Sequence, residues 1–196
     1  MNWTTFSTDK KIKLNGNAKK IVELFGKHND AFHNSEGRKL RTRFVKKILI
    51  ILGHDLGFKV YANGLKQEDL KDINRTFVNR EWLLDLHWYS EGVEPYSVET
   101  LPLAVECEWN PKRKGDSKVP YSGIKYDFQK LVVTNAKLRL MIFKIKRNED
   151  LLALSDYFEN VISNYKHLES NAQFLFVAFD DKAKSFHFKE FIATKQ

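Results

Sequence analysis

The chain contains one cysteine, Cys107, in 196 residues. That excludes an internal disulfide and any zinc cluster built on several thiolates, and it suits a reducing compartment. Long hydrophobic runs are also missing. The longest aliphatic one, Ile48-Leu49-Ile50-Ile51-Leu52, falls far short of a bilayer span. The first residues carry no apolar core of the signal-peptide kind, so an intracellular, cytoplasmic protein without membrane contact is expected. No Walker-type phosphate loop, GxSxG elbow or HExxH pair occurs, nor any internal repeat or low-complexity segment.

What the chain does have is aromatic bulk and positive charge. Fifteen phenylalanines and a hydrophobic content of 42% can fill one dense interior, which matches a single domain over 1–196 with residues 1–35 as an N-terminal decoration. The net charge of +8 favours a polyanionic partner, of which nucleic acid is the commonest.

Periodicity predicts a short helix over about 17–26 and a longer one over about 36–52, with Leu40, Phe44, Ile48 and Leu52 as its buried stripe. Strands are expected at 58–62, 82–88 and 104–109, with a polar segment at 67–79 that has room for a short helix. A basic loop covers 110–123. A helix at 124–135 then leads into an apolar, central strand at 138–145. Asn148 is expected to cap a helix over 149–168, and strands at 174–179 and 186–192 complete the chain. This order gives an α/β sandwich around a central mixed β-sheet flanked by helices.

Two stretches bear on chemistry: Trp82-Leu83-Leu84-Asp85-Leu86-His87-Trp88 and Ala104-Val105-Glu106-Cys107-Glu108-Trp109. On a strand, alternate side chains share a face, so Glu106 and Glu108 point one way and Val105, Cys107 and Trp109 the other. Taken singly, Asp85 or Glu106 reads as a paired structural acid, and Glu106 with Glu108 as the polar half of an edge strand. Taken together, three carboxylates on neighbouring apolar strands are most simply explained by a divalent cation, because a buried lone carboxylate is costly. Magnesium, with manganese as a substitute, takes oxygen ligands and keeps several waters. Asp85 and Glu106 would hold it with the backbone carbonyl of Cys107, and Glu108 would activate the attacking water or help ligate a second metal. The Cys107 side chain itself reads as packing.

An acid in one strand, an acid-x-acid in the next, then Lys125-Tyr126-Asp127-Phe128-Gln129-Lys130-Leu131 leading into Leu140-Met141-Ile142-Phe143, resembles the PD-(D/E)XK nuclease superfamily over residues 36–179. The resemblance implies a restriction-endonuclease-like fold. Its usual third motif is acid-x-lysine, and here Glu108 stands at the lysine position. Lys130 would reach back from its helix to supply the missing positive charge, with Lys125 and Gln129 as weaker candidates. The superfamily also implies a further acid ligating metal through water, and Glu36 stands at that place, although at the start of its helix it reads equally as a plain partner of the N-terminal dipole. His87 shares the face of Asp85, although magnesium rarely takes imidazole.

Two basic segments are candidates for phosphate contact: Lys39, Arg43, Lys46 and Lys47 on the long helix, and Lys112, Arg113, Lys114 and Lys118 in the loop after Glu108. The expected function is therefore a magnesium-dependent nuclease, an endonuclease on double-stranded DNA, acting as a compact homodimer or borrowing specificity from a partner. A catalytically inactive nuclease-like domain that binds nucleic acid or a protein is the alternative, kept open by Glu108. A basic interaction module that never touches nucleic acid is a third reading.

Overall fold

Alternation along the strands and helical spacing on either side sort the apolar residues into two cores on opposite faces of one sheet. The computed structural model describes residues 3–9, 11–73, 83–116 and 118–194. In chain order it contains β1 (Thr4–Thr5), α1 (Gly16–Lys27), α2 (Asn29–Asn34), α3 (Arg38–Asp55), β2 (Lys59–Ala62) and α4 (Gln67–Lys71). These are followed by β3 (Leu86–Glu91), β4 (Val98–Glu108), α5 (Ser122–Val133), β5 (Leu138–Ile145), α6 (Glu149–Asn164), β6 (Gln173–Asp180) and β7 (Ser185–Ile192).

The seven strands form one sheet in the order β1-β7-β6-β5-β4-β3-β2. Strands β4, β5 and β6 run parallel, and the remaining pairings are antiparallel. The sheet is thus mixed, and β5, buried along nearly its whole length, lies at its centre. One face carries Ile21 and Phe25 of α1, Phe32 of α2 and Val45, Ile48 and Leu49 of α3, packed on Leu140, Ile142, Val177 and Phe179. The other carries Phe128 and Leu131 of α5 and Leu154 and Phe158 of α6, packed on Met141, Phe143, Phe174 and Phe176. Residues 1–35, expected as a decoration, thus supply a share of the first core, and Thr4 and Thr5 extend the sheet beside β7.

Several expectations need correction. The stripe on α3 is rotated: Leu40 is 53% exposed, while Val45, Lys46, Ile48 and Leu49 are buried. A strict four-residue spacing drifts around a helix of 3.6 residues per turn by about 40° at each step, so Leu40 and Leu52 do not share a face. The strand expected at 82–88 begins at Leu86, and Asp85 lies in the bend before it. Trp82 and residues 74–79 lie outside the described residues. The Asn148 side chain makes no capping hydrogen bond on α6. Asp150 holds that end instead, accepting from the amides of Lys146 (2.9 Å) and Arg147 (3.1 Å) and from the Tyr121 hydroxyl (2.9 Å). The short helix α2 and the strand β1 carry too few residues for periodicity to reveal them. Among the described residues, no helix is long and apolar enough to cross a membrane.

Candidate active site: an acid and ammonium cluster at one end of the sheet

The parallel strands β4, β5 and β6 end side by side, with Glu108 beside Phe143 and Ile145 beside Asp180. The antiparallel β3 begins where β4 ends, which brings Asp85 to the same rim. In open α/β sheets this rim, outside the carboxyl ends of the parallel strands, is where ligands bind.

Asp85 bridges the layers. Its backbone carbonyl accepts from Asn63 N at 3.0 Å and its Oδ2 accepts from the Cys107 amide at 2.9 Å, so the side chain stands in for a backbone acceptor on the β4 side. Its Oδ1 accepts from Lys46 Nζ at 2.8 Å. Lys46 is only 4% exposed and also donates to the Asn63 carbonyl at 2.7 Å. The structure thus removes Lys46 from the nucleic-acid surface: a buried ammonium needs a carboxylate, and Asp85 is its partner.

Glu106 is 1% exposed on the face covered by α5. Its Oε2 pairs with Lys130 Nζ at 2.8 Å, and the same ammonium pairs with Asp127 at 2.8 Å. Its Oε1 is buried with no hydrogen-bond partner among the described residues. Burial and the nearby Asp85 charge push the Glu106 carboxyl up to about 8, more than Lys130 can offset. Burial also favours loss of the Lys130 proton, but the hydrogen bonds to Asp127 and Glu106 outweigh it and hold that ammonium well above its usual range. Asp127 is raised as well, by burial before any charge effect. Lys130 therefore occupies the position expected of it, and Asp127, three residues earlier on α5, joins the cluster.

Glu108 shares the face of Glu106 but turns back on its own strand end, where Oε1 accepts from the Asn110 amide at 2.6 Å. Its carboxyl is raised, chiefly by burial. The strand leaves little room here: a Cβ on Gly123, at the start of α5, would stand 2.5 Å from the Asn110 carbonyl oxygen and 3.3 Å from the Glu108 carboxyl carbon. Cys107 contributes its amide to Asp85, and its thiol is buried and raised by that burial. His87 is fully buried, stacked on Tyr61 at 4.6 Å, and burial lowers it to about 3, so it is a neutral packing residue. Glu36 is exposed at the rim of a separate cleft, and among the described residues no ion pair or hydrogen bond joins it to the acids above.

The basic segments fare unequally. On α3, Lys47 pairs with Asp72 at 3.0 Å and with Asp69 at 3.6 Å, and Arg43 lies 3.9 Å from Asp69, so α4 takes up most of that charge. Lys39 remains exposed. In the loop, Lys112, Lys114 and Lys118 are exposed. Arg113 is anchored through its amide to Ser122 Oγ at 2.8 Å, stacks its guanidinium on Tyr126 at 3.8 Å, and lowers the Asp127 carboxyl by its charge. The loop thus borders the acid cluster, as its position in the chain implied.

The donor set suits a divalent cation in one respect: Glu106 presents a buried carboxylate oxygen without a partner, beside a second carboxylate whose charge it resists. Among the described residues no group of three or more His, Cys, Asp or Glu side chains is spaced to hold a metal. Two carboxylates completed by water is a pattern magnesium accepts. Lys46 and Asp127 escaped the sequence reading, the first because its role depends on a contact between layers. Asp127 left a visible signal, its three-residue spacing to Lys130. No protein-family model matches the chain, and comparison with curated proteins and with solved structures gives no significant match.

Proposed function

We propose that the protein is a metal-dependent nuclease whose centre is Asp85, Glu106 and Lys130. The observation that carries this reading is the unpartnered, buried Glu106 Oε1 beside Asp85, inside a cluster that also holds two buried or half-buried ammonium groups. The order helix, three antiparallel strands, helix, parallel strand (α3, β2, β3, β4, α5, β5), with the short α4 inserted between β2 and β3, supports the PD-(D/E)XK resemblance.

A magnesium ion held by Asp85 and Glu106 would supply a water of lowered pKa and a Lewis acid for the phosphodiester. For that, Glu106 must give up the proton that burial favours. Lys130, fixed between Glu106 and Asp127, places a permanent cation beside the reacting phosphate, the charge absent at Glu108. Lys46 holds Asp85 in place from the opposite side of the sheet. Arg113 and the exposed Lys112, Lys114 and Lys118 would grip the phosphate backbone without reading sequence.

The test is incubation of plasmid DNA with magnesium or manganese, against an EDTA control and the isosteric Glu106→Gln variant. Cleavage by the wild type alone supports the reading, and an equally active Glu106→Gln enzyme refutes the assigned site. A second reading, a nuclease-like domain that binds nucleic acid without cutting it, is favoured by the ammonium groups already seated on both acids. It predicts salt-sensitive binding and intact plasmid and RNA at every metal concentration.

A further inference from the structure

On the other face of the sheet, round the same rim, lies a cleft of about 540 Å³ between α2, the start of α3 and the ends of β5 and β6. It is lined by His33, Arg38, Arg41, Lys144, Lys146 and Lys184, with Glu36 and Asp181 as its acids. Asp181 consumes two of the cations: its Oδ2 accepts from Arg41 at 2.8 Å and pairs with Lys144. Burial would raise Asp181, but Arg41 and Lys144 overrule it and draw it down to about 2, so this acid is always charged. Arg38, Lys146 and Lys184 have no ion-pair partner among the described residues.

Two further observations point to a ligand. The helix α3 opens on Gly37 with no side-chain cap and no acid in its first turn, so its first amides are left without a side-chain acceptor where they meet the cleft, with Glu36 just before Gly37 as the adjacent acid. His33 is only 7% exposed, and neither ring nitrogen completes a hydrogen bond. Its Nδ1 stands 3.6 Å from Asp181 Oδ1, itself buried without a hydrogen bond, and the Ser185 backbone gives it only slight support. Burial, ahead of the Asp181 charge, holds the imidazole below its ordinary range, so it is neutral and carries a single ring N–H, for which the Asp181 carboxylate and the Ser185 backbone compete.

We propose that this cleft binds a phosphate monoester dianion, held by Arg38, Lys146, Lys184 and the first amides of α3, with the His33 ring as part of its wall. The five cations of the lining exceed Glu36 and Asp181 by three, enough to accept a dianion without making the cleft negative, and several N–H donors match the three terminal oxygens of a monoester better than they match one carboxylate. The volume admits a mononucleotide as well as a bare phosphate. The cleft lies on the α3 side of the sheet with Trp109, and Glu106 on the α5 side, while Arg38 and Asn110 bring the cleft next to Glu108 at the strand end. It does not depend on nuclease activity.

The experiment is isothermal titration in EDTA at constant ionic strength, using inorganic phosphate, a 5′-mononucleotide, and one oligonucleotide with a 5′-phosphate or a 5′-hydroxyl. The proteins are the wild type, Glu106→Gln, Arg38→Gln/Lys146→Gln and a charge-loss control, Lys20→Gln, each checked for unchanged melting. One-to-one binding of phosphate or mononucleotide, weakened at least tenfold only in the double variant, supports the site with a free ligand. Preference for the phosphorylated strand end with the same variant dependence supports it with a nucleic-acid source. Equal affinity for both oligonucleotides with no response to phosphate or mononucleotide, or equal losses in Lys20→Gln and the double variant, overturns it. Binding that persists in Glu106→Gln shows that the cleft works independently of cleavage at the acid cluster.

Discussion

Replacing Glu106 by glutamine keeps the shape and the acceptor facing Lys130 but removes the ionisable group. The carboxyl titrates at about 8 in the fold against an ordinary 4.5. Because its folded value is raised, the folded state binds the proton more tightly than the unfolded chain. The group therefore imposes no ionisation penalty below about pH 4.5, and it destabilises progressively as pH rises from 4.5 to about 8. At about 1.4 kcal/mol per pH unit the full penalty is on the order of 5 kcal/mol, a large share of a typical domain's stability. Urea unfolding of the wild type and Glu106→Gln at pH 5, 7 and 9 should give curves that are close at pH 5 and diverge by a few kcal/mol at pH 9, with the variant more stable. Magnesium should raise the wild-type melting temperature more at pH 9 than at pH 6 and leave the variant unmoved, since a cation replaces the bound proton. Parallel stability curves from pH 5 to 9 would refute the reasoning, because a solvated edge acid would behave that way.

Asp85→Ala should cost about 3–5 kcal/mol by stranding the buried Lys46 ammonium, and Lys46→Met in the same chain should restore most of it, as read by chemical denaturation. Gly123→Ala should destabilise by about 1–3 kcal/mol, since the new methyl meets backbone at 2.5 Å; an unchanged melting temperature would show that the loop yields. If nucleic acid binds, log affinity should fall linearly with log salt, and Lys112→Ala/Lys114→Ala should lower that slope by about 2 without changing sequence preference.

The three-layer order was legible because long apolar periods set it: β5, β6, α5 and α6 are continuous signals in the chain. The contact between Glu106 and Lys130 was legible in the expectation that Lys130 reaches back from its helix. Asp85, by contrast, lies in the bend before β3 and bonds to Lys46 and the Cys107 amide, which strand alternation does not reveal. The fate of Lys46 was not legible either. Its neighbours on α3 spell a basic surface, and only the docking of that helix against the rim decides that this one lysine points inward. Glu108 misled for a similar reason, because a free loop amide at Asn110 outbids any more distant use of its carboxylate. Local sequence carries periodicity well and carries contacts between layers poorly.

The bridge from Lys46 to Asp85 ties the acid cluster to the order of assembly. The acids stand on the β-meander and α5, yet the cation that neutralises one of them arrives only when α3 closes over the opposite face. A chain with its sheet formed but α3 undocked leaves Asp85 without its ammonium partner. The arrangement proposed for chemistry therefore requires α3 to be docked as well as the sheet and α5 to be formed, and chains lacking that contact do not carry it.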